Sequence, residues 1–321
     1  MRPNPTNSLG CLPRNRVGIL DVIPMIVGRR KLFSMLRLLL VFLAASGIAR
    51  AGQQFPAKGL VLKLDKAHRE MTVSCQRIPG YMEAMAMPFP VRDAKELEGL
   101  EPGNMIEFTL VVNKEEAHAE SIRVHGFQSL ELDPLEARRL AILSGKTNPS
   151  RSAATVLGLG QAVPDFALID QGGQSIQLSQ FGGKLVVITF MYTRCPFPNY
   201  CFRLSNNLGQ LQKRFRRNLG SELVLLSITF DPVHDQPEEL AKYADTWHAN
   251  PKGWHFLTGP LPEIENVSHQ FGMDFWPEEG LMVHALHTVI IDRNGKLAAN
   301  LEGNEFTSDQ LGDLVQTMLG R

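Results

Sequence analysis

Six side chains in this 321-residue chain have the chemistry of a redox or soft-metal site: Cys195, Cys201, His287, Cys75, Met85 and Met87. Two of them bound the loop Cys195-Pro196-Phe197-Pro198-Asn199-Tyr200-Cys201. Thiols that close in sequence can cycle between dithiol and disulfide, exchanging with a partner through a mixed disulfide. Joined by an imidazole, they also make a three-ligand set suited to copper. His287 could be such a ligand, or could sit near the thiols and favour the thiolate, and His284 is its rival if the strand register slips. Met85 and Met87 alternate by two, so a strand would point both to one face. Two thioethers beside the Cys75 thiolate form a soft donor set, which selects Cu(I) over hard cations. Plainer readings stand beside these. Methionine often fills gaps in small cores, an isolated histidine is often a hydrogen-bonded structural residue, and the cysteine pair could be an inert disulfide.

The elements that must position the thiols are legible on both sides of the loop. Leu185 to Tyr192 is a continuous apolar run with β-branched residues, the pattern of a strand buried on both faces of a mostly parallel sheet. After Cys201, apolar side chains recur at Leu204, Leu208, Leu211 and Phe215, a helical spacing. The thiols therefore sit between a central strand and the next helix, at the sheet's carboxyl end, where open α/β folds place reactive groups. Cys201 is expected in the first helical turn, where unpaired N–H groups and the positive dipole end favour a thiolate.

The rest of the chain divides around this loop. Residues 57–126 carry five short strand patterns and a helix near Asp93 to Leu100, which suggests a small all-β barrel of OB type. Residues 127–160 form a link with a short helix predicted from Asp133 to Leu143, and some relative motion is expected across it. From 161 to 321 strands and helices alternate, ending in a helix from Ser308 to Leu319. That order is that of a thioredoxin-like α/β sandwich.

At the front, Arg29-Arg30-Lys31 precedes the apolar run Leu38 to Ile48, closed by Ala49-Arg50-Ala51. This is the layout of a secretory signal peptide cut after Ala51, so residues 1–51 read as leader and the destination as the periplasm. An uncleaved leader anchoring the chain to the inner membrane is the competing reading. Cys11 leaves with the leader, and the three remaining cysteines cannot all pair within one chain. With 33 basic and 33 acidic residues, charge gives no argument for a nucleic-acid partner. Asp231 and Asp235 read as a loop and helix start beside the sheet's carboxyl end, with room for a role behind the thiols.

Two resemblances sharpen this. From about Gly59 to Val124 the chain resembles the CusF-like periplasmic copper-binding domains. The likeness runs through Ile78-Pro79-Gly80-Tyr81-Met82, Met85-Ala86-Met87-Pro88-Phe89 and Leu100-Glu101-Pro102-Gly103-Asn104. In that family a histidine and two methionines hold the metal, which implies Met85 and Met87 as ligands with Cys75 standing where the histidine falls. Residues 161–320 are similar to the Sco (SenC-type) family of thioredoxin-like proteins. The motifs are Val163-Pro164-Asp165-Phe166, Phe181-Gly182-Gly183-Lys184, Tyr192-Thr193-Arg194-Cys195-Pro196, Ser227 to Pro232 with Asp235, Gly253 to Gly259, and His287 before Ile291-Asp292. This resemblance implies copper, as Cu(I) or Cu(II), held by Cys195, Cys201 and His287. It also implies delivery to a copper-receiving protein, cytochrome c oxidase subunit II with its Cu-A centre, or reduction of that protein's thiols. One departure is plain: five residues separate the cysteines here, where the family usually has three. The alternative is a metal-independent periplasmic thiol–disulfide oxidoreductase using Cys195 and Cys201 alone.

Overall fold

A computed structural model describes residues 52–113, 116–126, 156–278 and 281–320. The leader and the helix expected at 133–143 lie outside the described residues.

The first sheet has five strands: β1 (Gln53–Asp65), β2 (Glu70–Cys75), β3 (Met85–Pro90), β4 (Met105–Val112) and β5 (Ala117–Val124). Their order is β3-β2-β1-β4-β5, all neighbours antiparallel. One isolated parallel bridge, Val91 to Ala119, brings the two edges together. The result is an OB-type sheet that curls toward a barrel without a continuous closing ladder. The predicted helix is a single 3-10 turn, Ala94–Leu97, whose first N–H groups are capped by the Asp93 side chain.

The second sheet has seven strands in the order β14-β13-β8-β9-β10-β6-β7. They are β6 (Ala167–Asp170), β7 (Ser175–Gln177), β8 (Leu185–Met191), β9 (Leu223–Thr229), β10 (Trp254–Thr258), β13 (His287–Ile291) and β14 (Leu297–Glu302). Every residue of β8 and β9 is buried, as their unalternating apolar runs require. Helices α1 (Arg203–Arg214), α2 (Pro237–Thr246), α3 (Leu261–His269) and α4 (Ser308–Leu319) complete the sandwich. The sheet is mixed rather than mostly parallel: only β8-β9 and β9-β10 run parallel, and β13, β14, β6 and β7 pair antiparallel. Continuous hydrophobicity reports burial on both faces, and an antiparallel strand between covered faces shows it equally. A further hairpin, β11 (Phe275–Glu278) with β12 (Leu281–His284), is absent from the sequence reading.

The two sheets belong to one compact unit, residues 52–321. Alternate residues of β1 serve two cores. Val61 fills the first sheet's interior, whereas Leu60 and Leu62 pack with Leu311, Leu314, Val315 and Met318 of α4. Polar contacts fix this seam: the Ser74 hydroxyl donates to Asp313 at 2.7 Å, and Gln310 Nε2 donates to the Ser74 carbonyl at 2.9 Å. The freedom expected across the link is thus opposed by a shared apolar core. Gln310 also closes the capping box with Thr307 at the start of α4. Gln310→Ala should therefore cost about 1–3 kcal/mol, combining a lost cap with an orphaned buried carbonyl. Chemical denaturation measures it, and a cost below about 0.5 kcal/mol would mean the seam is not held there.

Candidate metal and thiol centres

The thiol loop leaves β8 at its carboxyl end, as expected. Cys195 is partly exposed and Cys201 is buried; both are free thiols. Cys201 lies in a π-type turn, Pro198–Phe202, that runs into α1, and Tyr200 there departs from helical geometry (φ −106°, ψ −109°). The extra residues of the long loop are absorbed in this irregular turn rather than in a regular helix start.

The pair is electrically asymmetric. The Cys195 thiol is pulled down to about 6, first by the Cys201 side chain, with the Cys201 and Phe197 amides adding to it against burial. The Tyr192 hydroxyl makes no hydrogen bond of good geometry, yet it lies beside the Cys195 sulfur and contributes to the same shift. Cys201 is pushed well up, by its bond to Cys195 and then by burial. Cys195 is thus the accessible thiolate and Cys201 the buried thiol behind it. Alkylation of Cys195 should rise with pH and level off above about pH 6, because the thiolate is the reacting form and its fraction saturates above that value. Rates by mass spectrometry check this; an inflection near 8.5, where a free thiol titrates, would contradict it.

The two histidines separate clearly. His287 leans away from β8: its Nδ1 donates to Asn300 Oδ1 of β14 at 2.8 Å. Its Nε2 lies 3.7 Å from where a Cβ on Gly272 would stand. Its Nδ1 is thus engaged on the β14 side, and its Nε2 faces the backbone of a glycine. His284, at the end of β12, sits among the rings that flank the thiols: Tyr192 at 6.2 Å, Tyr200 at 6.1 Å and Phe230 at 4.7 Å between centroids. Its Nδ1 donates to the Ala285 carbonyl at 2.8 Å, which leaves the Nε2 lone pair free for a metal. Burial lowers the pKa of both imidazoles, favouring the neutral form. The structure thus brings His284 rather than His287 to the loop. β13 begins at His287 and the preceding hairpin strand ends at His284, so the ring nearest the loop is that of the rival named in the sequence. The signal in the sequence was the two short apolar runs, Phe275-Trp276 and Leu281-Met282-Val283, ahead of the strand at His287. Among the described residues, no three His, Cys, Asp or Glu side chains stand as a preformed cage. His284 would have to close onto the thiols.

In the first sheet the register puts Cys75 opposite Met85 and Val73 opposite Met87. Directly opposed residues share a face, so the three sulfur side chains lie on the inner face, at one end of the β2-β3 ladder. Cys75 is 1% exposed and Met85 49% exposed, so the donors run from core to rim. Burial pushes the Cys75 thiol up to about 11. A soft cation binding there must displace that proton, which makes capture pH-dependent. The set fits Cu(I): soft, adjacent and open on one side.

Comparison with known families places both parts of the chain. Residues 157–319 match the SCO1/SenC family model, and residues 54–124 match that of the copper-binding periplasmic protein CusF. The chain belongs to the SCO1/SenC family. A SCO2-like protein of Rickettsia typhi is 30% identical over 138 residues, which is 41% of this chain and 65% of that protein. The sco1 protein of Schizosaccharomyces pombe is 27% identical over 167 residues, 50% of this chain and 61% of its own. The chain therefore spans somewhat under two thirds of these SCO relatives' length. Among solved structures, a SCO1/SenC family lipoprotein from Bacillus anthracis aligns at 25% identity and a TM-score of 0.45, covering 51% of this chain and 99% of that one. Yeast Sco1 with copper bound aligns at 24% identity and a TM-score of 0.43, over 50% of this chain and 89% of its own. Copper as the implied metal is supported by the copper-binding family whose model matches residues 54–124, the part that carries Cys75, Met85 and Met87, while the SCO1/SenC match carries the thiol loop.

Proposed function

We propose that this chain is an exported copper protein of cytochrome oxidase assembly, with two sites for copper as cargo. One is made by Cys75, Met85 and Met87; the other by Cys195, Cys201 and His284. The observation that carries the reading is the pairing of a thiolate, a buried thiol and an imidazole with a free Nε2 at one end of a sheet whose family handles copper. The first site would take up Cu(I). The second would hold copper near the surface, where exchangeable ligands allow delivery to a recipient such as the Cu-A site of cytochrome c oxidase subunit II. Linked sites raise each other's local concentration, so transfer between them is favoured over transfer between separate proteins. Among the described residues no helix is long and apolar enough to cross a membrane.

A second reading is favoured by the split between the thiols. As an oxidoreductase, the Cys195 thiolate attacks a partner disulfide, forming a mixed disulfide and releasing one partner thiolate. Cys201 then loses its proton and attacks the Cys195 sulfur, releasing the second partner thiolate and leaving a Cys195–Cys201 disulfide. The partner gains two electrons and the pair loses two.

Copper stoichiometry of the reduced protein under anaerobic conditions separates the readings. Two tightly held Cu(I) ions are expected, with one lost in Cys195→Ser/Cys201→Ser and the other in Met85→Leu/Met87→Leu. A single ion, lost only with the methionines, would leave Cys195 and Cys201 as redox thiols and the oxidoreductase as the better account.

A further inference from the structure

Asp235 is a carboxylate with 0% exposure at the carboxyl ends of β8 and β9. A buried carboxylate is costly unless donors converge on it, and here three do. The Thr193 amide donates at 3.0 Å to one oxygen, and the Thr193 hydroxyl donates at 2.5 Å to the other. The third donor is the Thr229 hydroxyl, at 2.5 Å. Its direction is fixed, because a carboxylate oxygen only accepts, while the same hydroxyl oxygen accepts the Asp231 N–H at 3.0 Å. Asp235 therefore ties the residue two before Cys195 to the end of the neighbouring central strand.

The only residue between Thr193 and Cys195 is held as well. Arg194 donates to Asp231 at 2.7 Å, within the same turn that carries Asp235. On the far side the loop is anchored separately: Asn304 Nδ2 donates to the Asn199 carbonyl, and Arg203 donates to the Glu305 carbonyl at 3.2 Å. Between these anchors the chain passes through Pro196, Pro198 and the irregular Tyr200. The Cys195 end is thus set by Asp235, and the Cys201 end by α1 and the segment before α4.

We propose that Asp235 is a positioning residue, which through Thr193 fixes the Cys195 sulfur at the distance from Cys201 that both copper capture and disulfide closure need. The proposal rests on the reading of Cys195 and Cys201 as the working pair. It assigns Asp235 no contact with copper or with a partner.

The test uses the whole protein and two readouts: Cu(I) affinity by competition with bicinchoninate, and the equilibrium constant of the Cys195–Cys201 disulfide against glutathione. Asp235→Asn replaces one acceptor oxygen by an NH2 that faces either the Thr193 hydroxyl or the Thr193 amide and Thr229 hydroxyl, and should weaken Cu(I) at this site by about 10–100-fold, the usual cost of removing a residue that orients a ligand. It should move the disulfide constant by about tenfold as well. Thr193→Val removes one donor and keeps the carboxylate, so its effects should be smaller and of the same sign. Gln310→Ala, at the distant seam, should lower the unfolding midpoint and leave both readouts within about twofold. If wild type holds no copper on these thiols, the copper reading fails and the disulfide constant alone decides the role of Asp235. If Asp235→Asn does not fold, Thr193→Val decides it. Folded variants with both readouts within about twofold of wild type would overturn the proposal.

Discussion

His284→Ala is expected to weaken copper binding by the thiol pair on the order of 100-fold, whereas His287→Ala should change it by less than about threefold. The contrast follows from where each ring's nitrogens point. His284 spends Nδ1 on the Ala285 carbonyl and keeps Nε2 free among Tyr192, Tyr200 and Phe230. His287 spends Nδ1 on Asn300, and Asn300 in turn donates to the Phe271 carbonyl at 2.9 Å. Removing His287 should instead cost about 1–2 kcal/mol of stability, because the Asn300 oxygen loses its donor in a half-buried site. Competition titrations and denaturation on the two variants measure both effects. Equal losses of copper affinity would show that the ring geometry does not choose the ligand.

The largest stability effect is expected at Trp254. Its side chain is fully buried, stacks on Phe256 with centroids 5.0 Å apart, and donates Nε1 to Ser227 Oγ at 3.0 Å. It lies in the same apolar cluster as Leu204, Leu208 and Leu211 of α1, the helix that the thiol loop enters. Trp254→Ala should cost about 3–5 kcal/mol, from lost burial and the cavity left behind. At roughly 2–4 °C per kcal/mol for a chain this size, the unfolding midpoint should fall by roughly 10 °C. Trp254→Phe keeps much of the packing and orphans Ser227, so a smaller loss is expected. A Trp254→Ala midpoint within about 2 °C of wild type would mean that the core around α1 collapses onto the vacancy.

What could be read from residues alone was what burial and periodicity encode. The run Leu185 to Met191 announced a doubly buried strand, and the apolar spacing after Cys201 announced α1. The final helix falls at Ser308–Leu319, with Thr307 and Gln310 supplying the cap. Strand direction was not legible, because β13 carries the same buried β-branched run as the parallel pair β8 and β9, and only the register reveals that it runs antiparallel to β8. Which of the two named histidines lies beside the loop was not legible for a related reason. His284 and His287 are three residues apart, and β13 begins at the second of them, so the boundary between two strands decides which ring meets the loop. The role of Asp235 was visible only as nearness to the sheet's end, since its donors come from Thr193 and Thr229, distant in sequence. In the first sheet the Met85 and Met87 alternation did predict one face, and the β2-β3 register adds Cys75 to it.

Copper K-edge X-ray absorption on the reduced Met85→Leu/Met87→Leu chain, loaded with one equivalent of copper, tests the account most directly. It should report two sulfur donors and one imidazole, with the imidazole signal lost in His284→Ala and retained in His287→Ala. An imidazole that persists without His284, or a copper with no sulfur neighbours, would contradict the site described here.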